Sequence, residues 1–535
     1  MPEGHGGRAV SLALKALGVD HIFTLSGAHI FPIFDGCKED GIRIVDTRHE
    51  QSAAFAAEGM ARLTRSVGVC AVTAGPGVTN IMSPLAQAGF NGAPVLALGG
   101  RAPAYRWGQG SLQELDHVPF VDPLAPAHTI YDTSAIPKEV LTAGLDALTP
   151  PMGPRFLDFP LDILFNTTDF DLENGSQLPE GPQPDTGQIE EIAKLLDAAE
   201  RPLVVAGSGV WLERGDQALR DLAERAELPV FMNGQGRGCL PADHRLAFAR
   251  SRSAAFKQAD LVIVAGTPLD FRLGFGQFAK AQVVHIYSGP RPDHVPLAAA
   301  VTASTKLAFE AIASATSRTK TSGEWLATLT AVEEEKAAQA QAELQLDSKP
   351  IHPMRLYGEL VPLLDRDAIV IGDGGDFVSY AGREVPSYAP GCWLDPGPFG
   401  CLGVGSGYAM AARLAHPDRQ VVTLFGDGAI GFSGMELETM VRLNLPVVCV
   451  VGNNGIWALE KFPMQAIYGY DVAAELQHGT RYDKVMEAFG GRGELVEDPA
   501  ELGPALKRAF DAGEPYVVNV LTDPTVAYPR SANLA

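Results

Sequence analysis

VVTLFGDGAIGFSGMELETMVRLNLPVVCVVGNNGIW, residues 421–457, decides the fold. Val421 to Phe425 is an apolar run with no breaker, as a strand buried on both faces requires, and Gly426-Asp427-Gly428 ends it. Met435, Leu437, Met440 and Leu443 then recur at helical spacing. Asn444-Leu445-Pro446 stops that helix, and Val447 to Val451 is a second buried strand closed by Gly452-Asn453-Asn454-Gly455. A strand–helix–strand unit of this kind is parallel and right-handed. Asp427 and Asn454 therefore fall at the carboxyl ends of two strands on one sheet edge, where open α/β sheets take their ligands. One carboxylate, one amide oxygen and a main-chain carbonyl just past the second turn make an oxygen-only set. That set suits Mg2+, which keeps some water and shares its shell with phosphates. Two ordinary glycine turns are the alternative reading.

The 535 residues leave room for about three domains. At 46% hydrophobic and 20% charged, the composition is that of an ordinary globular protein with ample core. A formal charge of −22 argues against nucleic acid as a partner, because phosphate backbones call for a basic face. The six cysteines are scattered without a CxxC pair, which points to reduced thiols and a cytoplasmic location. MPEGHGGRAVSLALKALGVDHIF has no apolar core of signal-peptide length, and no window reads as a membrane span.

The expected fold class is α/β, with three doubly wound parallel-sheet domains. In residues 1–165, a helix over 7–17, strands at His21–Leu25, Arg43–Asp46, Val69–Thr73 and Pro94–Leu98, and a helix over Glu50–Arg65 alternate. Gly75-Pro76-Gly77 breaks this pattern, and a further helix starts near Thr79. Residues 166–188, rich in Asp, Asn, Gly and Pro, read as a linker. A middle domain over 189–335 has strands at Leu203–Ala206 and Leu261–Ala265. Its GSGVWL falls short of a dinucleotide fingerprint, and plain turn geometry is the reading there. The charged stretch within 317–349 reads as a solvated linker helix. The third domain spans 351–535.

The GDG turn, 24 residues and then NN resemble the diphosphate-binding motif of thiamine diphosphate (ThDP) enzymes. The resemblance implies Asp427, Asn454 and the Ile456 carbonyl as Mg2+ ligands, with Gly426, Gly428 and Ala429 around the cofactor. RHEQSAAFAAEGMAR at 48–62 and TAGPGVTN at 73–80 resemble the family's pyrimidine-binding half, which adds Glu50, Pro76 and Asn80. There a glutamate donates a proton to the pyrimidine ring and stabilises the imino tautomer that removes the thiazolium C2 proton. From the residues alone, an acid in a first helical turn is also an ordinary dipole partner. GCWLDPGPFGCLGVGSGY at 391–408 resembles the segment on which the cofactor folds; Leu402 then enforces the bent shape and the Gly400 carbonyl accepts from the amino group. A glycine-rich turn is the alternative. The family joins its two half-sites across a subunit interface, which implies a homodimer or homotetramer with Glu50 serving the cofactor on the partner.

Within the family, SLQELD at 111–116 is similar to both acetolactate synthases and 2-hydroxyacyl-CoA lyases, which place a glutamine like Gln113 beside the reacting centre. The stretch FARSRSAAFKQADLVIVAGTPLDFRLGFG, residues 248–276, resembles 2-hydroxyacyl-CoA lyase and oxalyl-CoA decarboxylase more. The favoured expectation is a carbon–carbon lyase that cleaves a 2-hydroxyacyl-CoA to formyl-CoA and an aldehyde or ketone. An acetolactate synthase-like 2-keto acid decarboxylase and carboligase is the first alternative, and a non-catalytic ThDP-binding paralogue the second. The substrate is then a CoA thioester or a 2-keto acid. His29, Gln113, Glu460 and Glu494 are the proton-transfer candidates, each with a structural reading open beside it. Tyr528 and Arg530 in the tail are candidates for a substrate lid.

Overall fold

The computed structural model describes residues 3–170, 178–319 and 323–529. The chain divides into two compact units, one of residues up to Glu180 with Pro396–Pro417, the other of Gly181–Asp395 with Asp418 onward. It carries three six-stranded sheets, one in the first unit and two in the second, each parallel throughout. That is the fold class the alternation of strands and helices predicts.

In the first unit the strands are β1 (Glu3–His5), β2 (His21–Thr24), β3 (Arg43–Asp46), β4 (Gly68–Val72), β5 (Val95–Arg101), β6 (Ala127–Thr129), β7 (Arg155–Pro160) and β8 (Thr167–Asp169). The sheet order is β3-β2-β4-β5-β7-β6. All of β4 and β5 is buried, the reason β4 and the first part of β5, Val95–Leu98, read as unbroken apolar runs. The start of the expected linker is a strand instead: β8 pairs antiparallel with β1, from Glu3 opposite Asp169 to His5 opposite Thr167. Residues 171–177 of that stretch lie outside the described residues.

The helix Glu50–Thr64 is buried along nearly its whole length. His49 caps it, its Nδ1 accepting from the Gln51 N–H at 3.0 Å. It packs on the helix Val404–Ala415 with almost no side chain between the backbones. A Cβ at Gly407 would stand 2.8 Å from Phe55 Cβ, and one at Gly59 3.0 Å from Tyr408 Cδ1. Glu58 and Arg62, both essentially inaccessible, lie in this contact. Glu58 accepts from Asn91 Nδ2 at 2.7 Å, from Gln87 Nε2 at 3.1 Å and from Arg62 at 3.4 Å. Arg62 and Gln87 also donate to the Tyr408 hydroxyl.

The second unit holds a middle sheet of β9 (Pro202–Ala206), β10 (Val230–Met232), β11 (Ala247–Phe248), β12 (Leu261–Ala265), β13 (Gln282–Ile286) and β14 (Ala299–Val301), ordered β11-β10-β9-β12-β13-β14. The helix Gly323–Glu343 is more than a solvated linker, since Trp325 and Leu329 join the core under this sheet. Trp325 Nε1 donates to the Pro202 carbonyl at 3.1 Å.

The last sheet has β15 (Ile369–Asp373), β16 (Trp393–Leu394), β17 (Val421–Gly426), β18 (Val448–Asn453), β19 (Arg492–Val496) and β20 (Tyr516–Leu521), ordered β16-β15-β17-β18-β20-β19. β17 and β18 are neighbours with Gly426 opposite Gly452, so both glycine turns leave the same edge as expected. The connecting helix is two pieces, Asp427–Ser433 and Glu436–Arg442, parted at Gly434. The break turns Met435 outward to 57% exposure, whereas Leu437 and Met440 keep the buried stripe.

Candidate active site

At the edge of the last sheet, Asp427 opens the turn after β17 and is 4% exposed. Its Oδ2 accepts the Gly455 N–H at 2.6 Å and its Oδ1 the Gly428 N–H at 3.0 Å, so the carboxylate ties the two turns together. Asn454 Oδ1 accepts the Ile456 N–H at 3.2 Å, and Tyr482 donates to the Asp427 carbonyl at 3.1 Å. Only glycine fits at 428, because a Cβ would lie 2.4 Å from the Trp457 ring. Ala429 follows, buried. Gly374 at the end of β15 takes a φ of +136°, and a Cβ there would reach within 3.0 Å of Gly426 N.

Burial pushes the Asp427 carboxyl up to about 6; the amides of Gly455 and Gly428 pull against that, and Asp376 adds a like charge. A buried carboxylate with a like charge on Asp376, tied by the Gly455 N–H to the turn that carries the Asn454 amide, is a place that gains from a hard cation. Among the described residues no group of three His, Cys, Asp or Glu is placed to hold a metal. The Asp427 set carries one carboxylate and neutral oxygens, so it fits Mg2+ that keeps phosphate and water in its shell.

The second cluster lies in the first unit. Glu50, 6% exposed, begins its helix with Oε2 accepting from Asn80 Nδ2 at 3.0 Å. Asn80 ends the short helix Pro76–Thr79, which starts at Gly75. Gly75 adopts φ +60°, ψ −110°, a conformation that suits glycine alone. Its N–H donates to His117 Nε2 at 3.0 Å. A Cβ on Gly75 would stand 3.0 Å from that of Gln113, which holds φ at +58°. His29 is 5% exposed, and its Nδ1 lies 3.0 Å from Thr73 Oγ1. Burial lowers its pKa, which favours the neutral ring.

The remaining candidates fall elsewhere. Gly400 is exposed with φ +74°, Leu402 is half-buried, and Cys401 between them donates its N–H to Gln87 Oε1 at 3.0 Å. Glu460 is exposed in the first turn of the helix Ala458–Tyr468. Glu494 sits mid-way along the edge strand β19, away from the Asp427 turn. There it accepts from Arg508 at 2.8 Å and from the Tyr516 hydroxyl at 2.8 Å, the placement of a structural ion pair. Tyr528 packs edge-on against Tyr380 with ring centroids 4.9 Å apart, within its own unit. Arg530 lies outside the described residues.

Sequence reasoning passed over His117, Asp158 and Arg101. Asp158, fully buried, accepts from Arg101 at 2.7 Å and lies 3.0 Å from His117 Nδ1. Arg101 also reaches Asp116 at 3.0 Å and stands 3.8 Å over the Trp107 ring. The available signal was a charge inside each of two apolar strand runs, VLALGGR and RFLDFP.

Comparison with known proteins bears on the chemistry of both clusters. Residues 4–120 match the model of the thiamine pyrophosphate enzyme N-terminal TPP binding domain, 189–309 the central domain, and 373–520 the C-terminal TPP binding domain. The chain is 53% identical over 541 residues to a "Probable acetolactate synthase" of Mycobacterium bovis, covering 99% of this chain and 98% of that one. The "Acetolactate synthase large subunit IlvG" of Mycobacterium tuberculosis matches to the same degree, 53% over 541 residues, with the same 99% and 98% coverage. A "2-hydroxyacyl-CoA lyase 2" of Caenorhabditis elegans is 35% identical over 553 residues, 92% of this chain and 85% of that one. Among the described residues no helix is long and apolar enough to cross a membrane. With domain models matched along its length and half of its residues shared with full-length relatives, the chain belongs to the thiamine diphosphate-dependent enzymes, within the group of acetolactate synthases and 2-hydroxyacyl-CoA lyases, and its cofactors are ThDP and Mg2+.

Proposed function

We propose that the chain is an acetolactate synthase-type carboligase, which decarboxylates pyruvate and joins the two-carbon unit to a second 2-keto acid. The observation that carries this is the 53% identity over nearly the whole chain to two proteins named acetolactate synthase, against 35% to a 2-hydroxyacyl-CoA lyase. It displaces the lyase preference drawn from the 248–276 segment. That preference weighed short motifs, whereas the identity is spread over the whole fold.

When bound, ThDP supplies the nucleophilic carbon and the electron sink that decarboxylation needs. Asp427, the Asn454 amide oxygen and the Ile456 carbonyl would hold Mg2+ and so anchor the diphosphate. Glu50 would serve as the hydrogen-bond partner of the pyrimidine ring, with Asn80 fixing the orientation of its carboxyl group. Gln113, held against Gly75, offers an amide to the substrate carboxylate or carbonyl. The family pairs the two half-sites between copies, so the working form is a homodimer or homotetramer, read by light scattering on the eluted protein.

The test is turnover by the purified holoenzyme. Pyruvate should yield CO2 and acetolactate, read as acetoin after acid treatment. Formyl-CoA and aldehyde from a 2-hydroxyacyl-CoA, with no product from pyruvate, would overturn the proposal. One observation favours that second reading. The 248–276 segment lines a cavity of about 960 Å³ with Arg250, Arg252, Lys257 and Arg272, joined by Lys336 and Arg383. Arg250 and Arg383 pair with Glu384, and Arg272 with Asp270, and the basic lining beside those pairs suits the phosphates of a CoA ester.

A further inference from the structure

Gly75 is the pivot of the pyrimidine-side cluster, and its backbone geometry is expensive. A φ of +60° with ψ of −110° lies outside the ordinary basins, and such residues persist only where the surroundings over-determine them. No side chain caps the short helix that follows. What meets the Gly75 N–H is His117 Nε2, at 3.0 Å, on a ring with no exposure.

The hydrogen bonds settle the tautomer. A backbone N–H is only a donor, so Nε2 must present its lone pair. The proton is then on Nδ1 and donates to Asp158 Oδ1 at 3.0 Å. Asp158 Oδ2 takes Arg101 at 2.7 Å, and Arg101 in turn takes Asp116 at 3.0 Å on the loop that carries Gln113. On the other face of the Gly75 turn, a Cβ would stand 3.0 Å from Gln113 Cβ. The loop is thus gripped just after Gln113, at Asp116 and His117, by groups from the end of β5, from within β7 and from the turn after β4.

We propose that His117, fixed as the Nδ1–H tautomer by Asp158, is a positioning residue for the reaction: its Nε2 lone pair holds the Gly75 turn in the one geometry that seats Gln113 and carries Asn80 to Glu50. The ring touches neither substrate nor cofactor; it acts through the turn. An imidazolium, or the other tautomer, would set two donors against each other and release the turn. The Gln113 arm of this proposal rests on the carboligase reading above; the Asn80–Glu50 arm rests only on ThDP being the cofactor.

Three measurements on His117→Leu and His117→Gln test it. The first is backbone amide exchange over residues 73–80 in the cofactor-free protein, where His117→Leu should exchange at least tenfold faster than the parent. The second is the exchange rate of the C2 proton in bound ThDP, which needs no substrate and should fall about tenfold or more, the scale expected when a buried hydrogen bond is lost. The third is the split between kcat and KM for pyruvate, with kcat carrying most of the loss. His117→Gln should recover all three to within about threefold, because its amide oxygen can still accept from Gly75. Unchanged amide and C2 exchange in His117→Leu would overturn the proposal, and so would a glutamine variant as impaired as the leucine one. If His117→Leu does not fold, Asp158→Asn takes its place. An amide can accept from Arg101 or from His117 but not from both, so C2 exchange should again slow, and parent-like exchange overturns the proposal. Wild-type C2 exchange without any pyruvate turnover would sink the carboligase reading alone.

Discussion

Glu58→Ala should loosen the first unit by far more than the loss of its side-chain bulk. Three donors converge on that carboxylate, from Asn91 at 2.7 Å, Gln87 at 3.1 Å and Arg62 at 3.4 Å, in a place with no solvent access. Deleting it breaks the buried Glu58–Arg62 pair from one side, which costs about 3–5 kcal/mol. In a unit of about 200 residues, each kcal/mol lowers the melting temperature by ~2–4 °C, which puts the fall at ~6–20 °C. The damage should concentrate in 396–417. Asn91 also donates to the Pro396 carbonyl at 3.2 Å, and Gln87 accepts the Cys401 N–H at 3.0 Å. Thermal melts, with amide exchange resolved to the peptide covering 396–417, read both effects. The paired change Glu58→Ala with Arg62→Met should regain most of the loss, because replacing a whole buried pair by apolar groups is often neutral. A melting shift under ~2 °C for Glu58→Ala, or a double variant no better than the single, would refute this account.

Two further outcomes follow from named groups. In cofactor-free protein, Asp427 titrates at about 6 instead of 3.8. Its ionised form is therefore disfavoured by the fold, a penalty present above the raised value and relieved as pH falls through it. Relative to Asp427→Asn, wild-type stability should rise by ~1.4 kcal/mol between pH 7 and pH 5; calorimetry without Mg2+ and ThDP that finds a flat difference contradicts the burial argument. Glu494→Gln should leave kcat untouched and cost under ~1 kcal/mol, because its partner Arg508 is half-exposed. A tenfold loss of turnover at unchanged melting temperature would instead make Glu494 catalytic.

The Asp427 edge was legible because everything it needs is local: two apolar runs, two glycine turns and a helix between them, within residues 421–457. The parallel register of β17 and β18 follows from that pattern and no other information. Glu50 was legible as a buried acid for the same reason, in a run of small residues that must pack closely. What escaped is whatever depends on side chains far apart in the chain. The Glu58 cluster needs Tyr408, and the Gly75 turn needs His117 and Asp158, partners that no periodicity brings together. The single helix expected through Met435 failed on Gly434, whose effect on the helix axis has no signature in hydrophobic spacing. The linker reading of 166–188 missed the strand at its start because composition reports exposure, and β8 is a half-exposed strand that pairs with residues 3–5.

The helix Val404–Ala415 has a consequence for how this chain is made. Arg62 and the Tyr408 hydroxyl it bonds are 346 residues apart. At ~5–20 residues per second, a ribosome needs ~20–70 s to supply the second after the first. Throughout that interval the nascent N-terminal sheet presents a helix on which Gln87 and Asn91 already meet Glu58, while Arg62 and the bare backbone at Gly59 still await Tyr408. Synthesis therefore passes through a long-lived half-built state, and a factor that shields such a face would act in that window rather than on the finished enzyme.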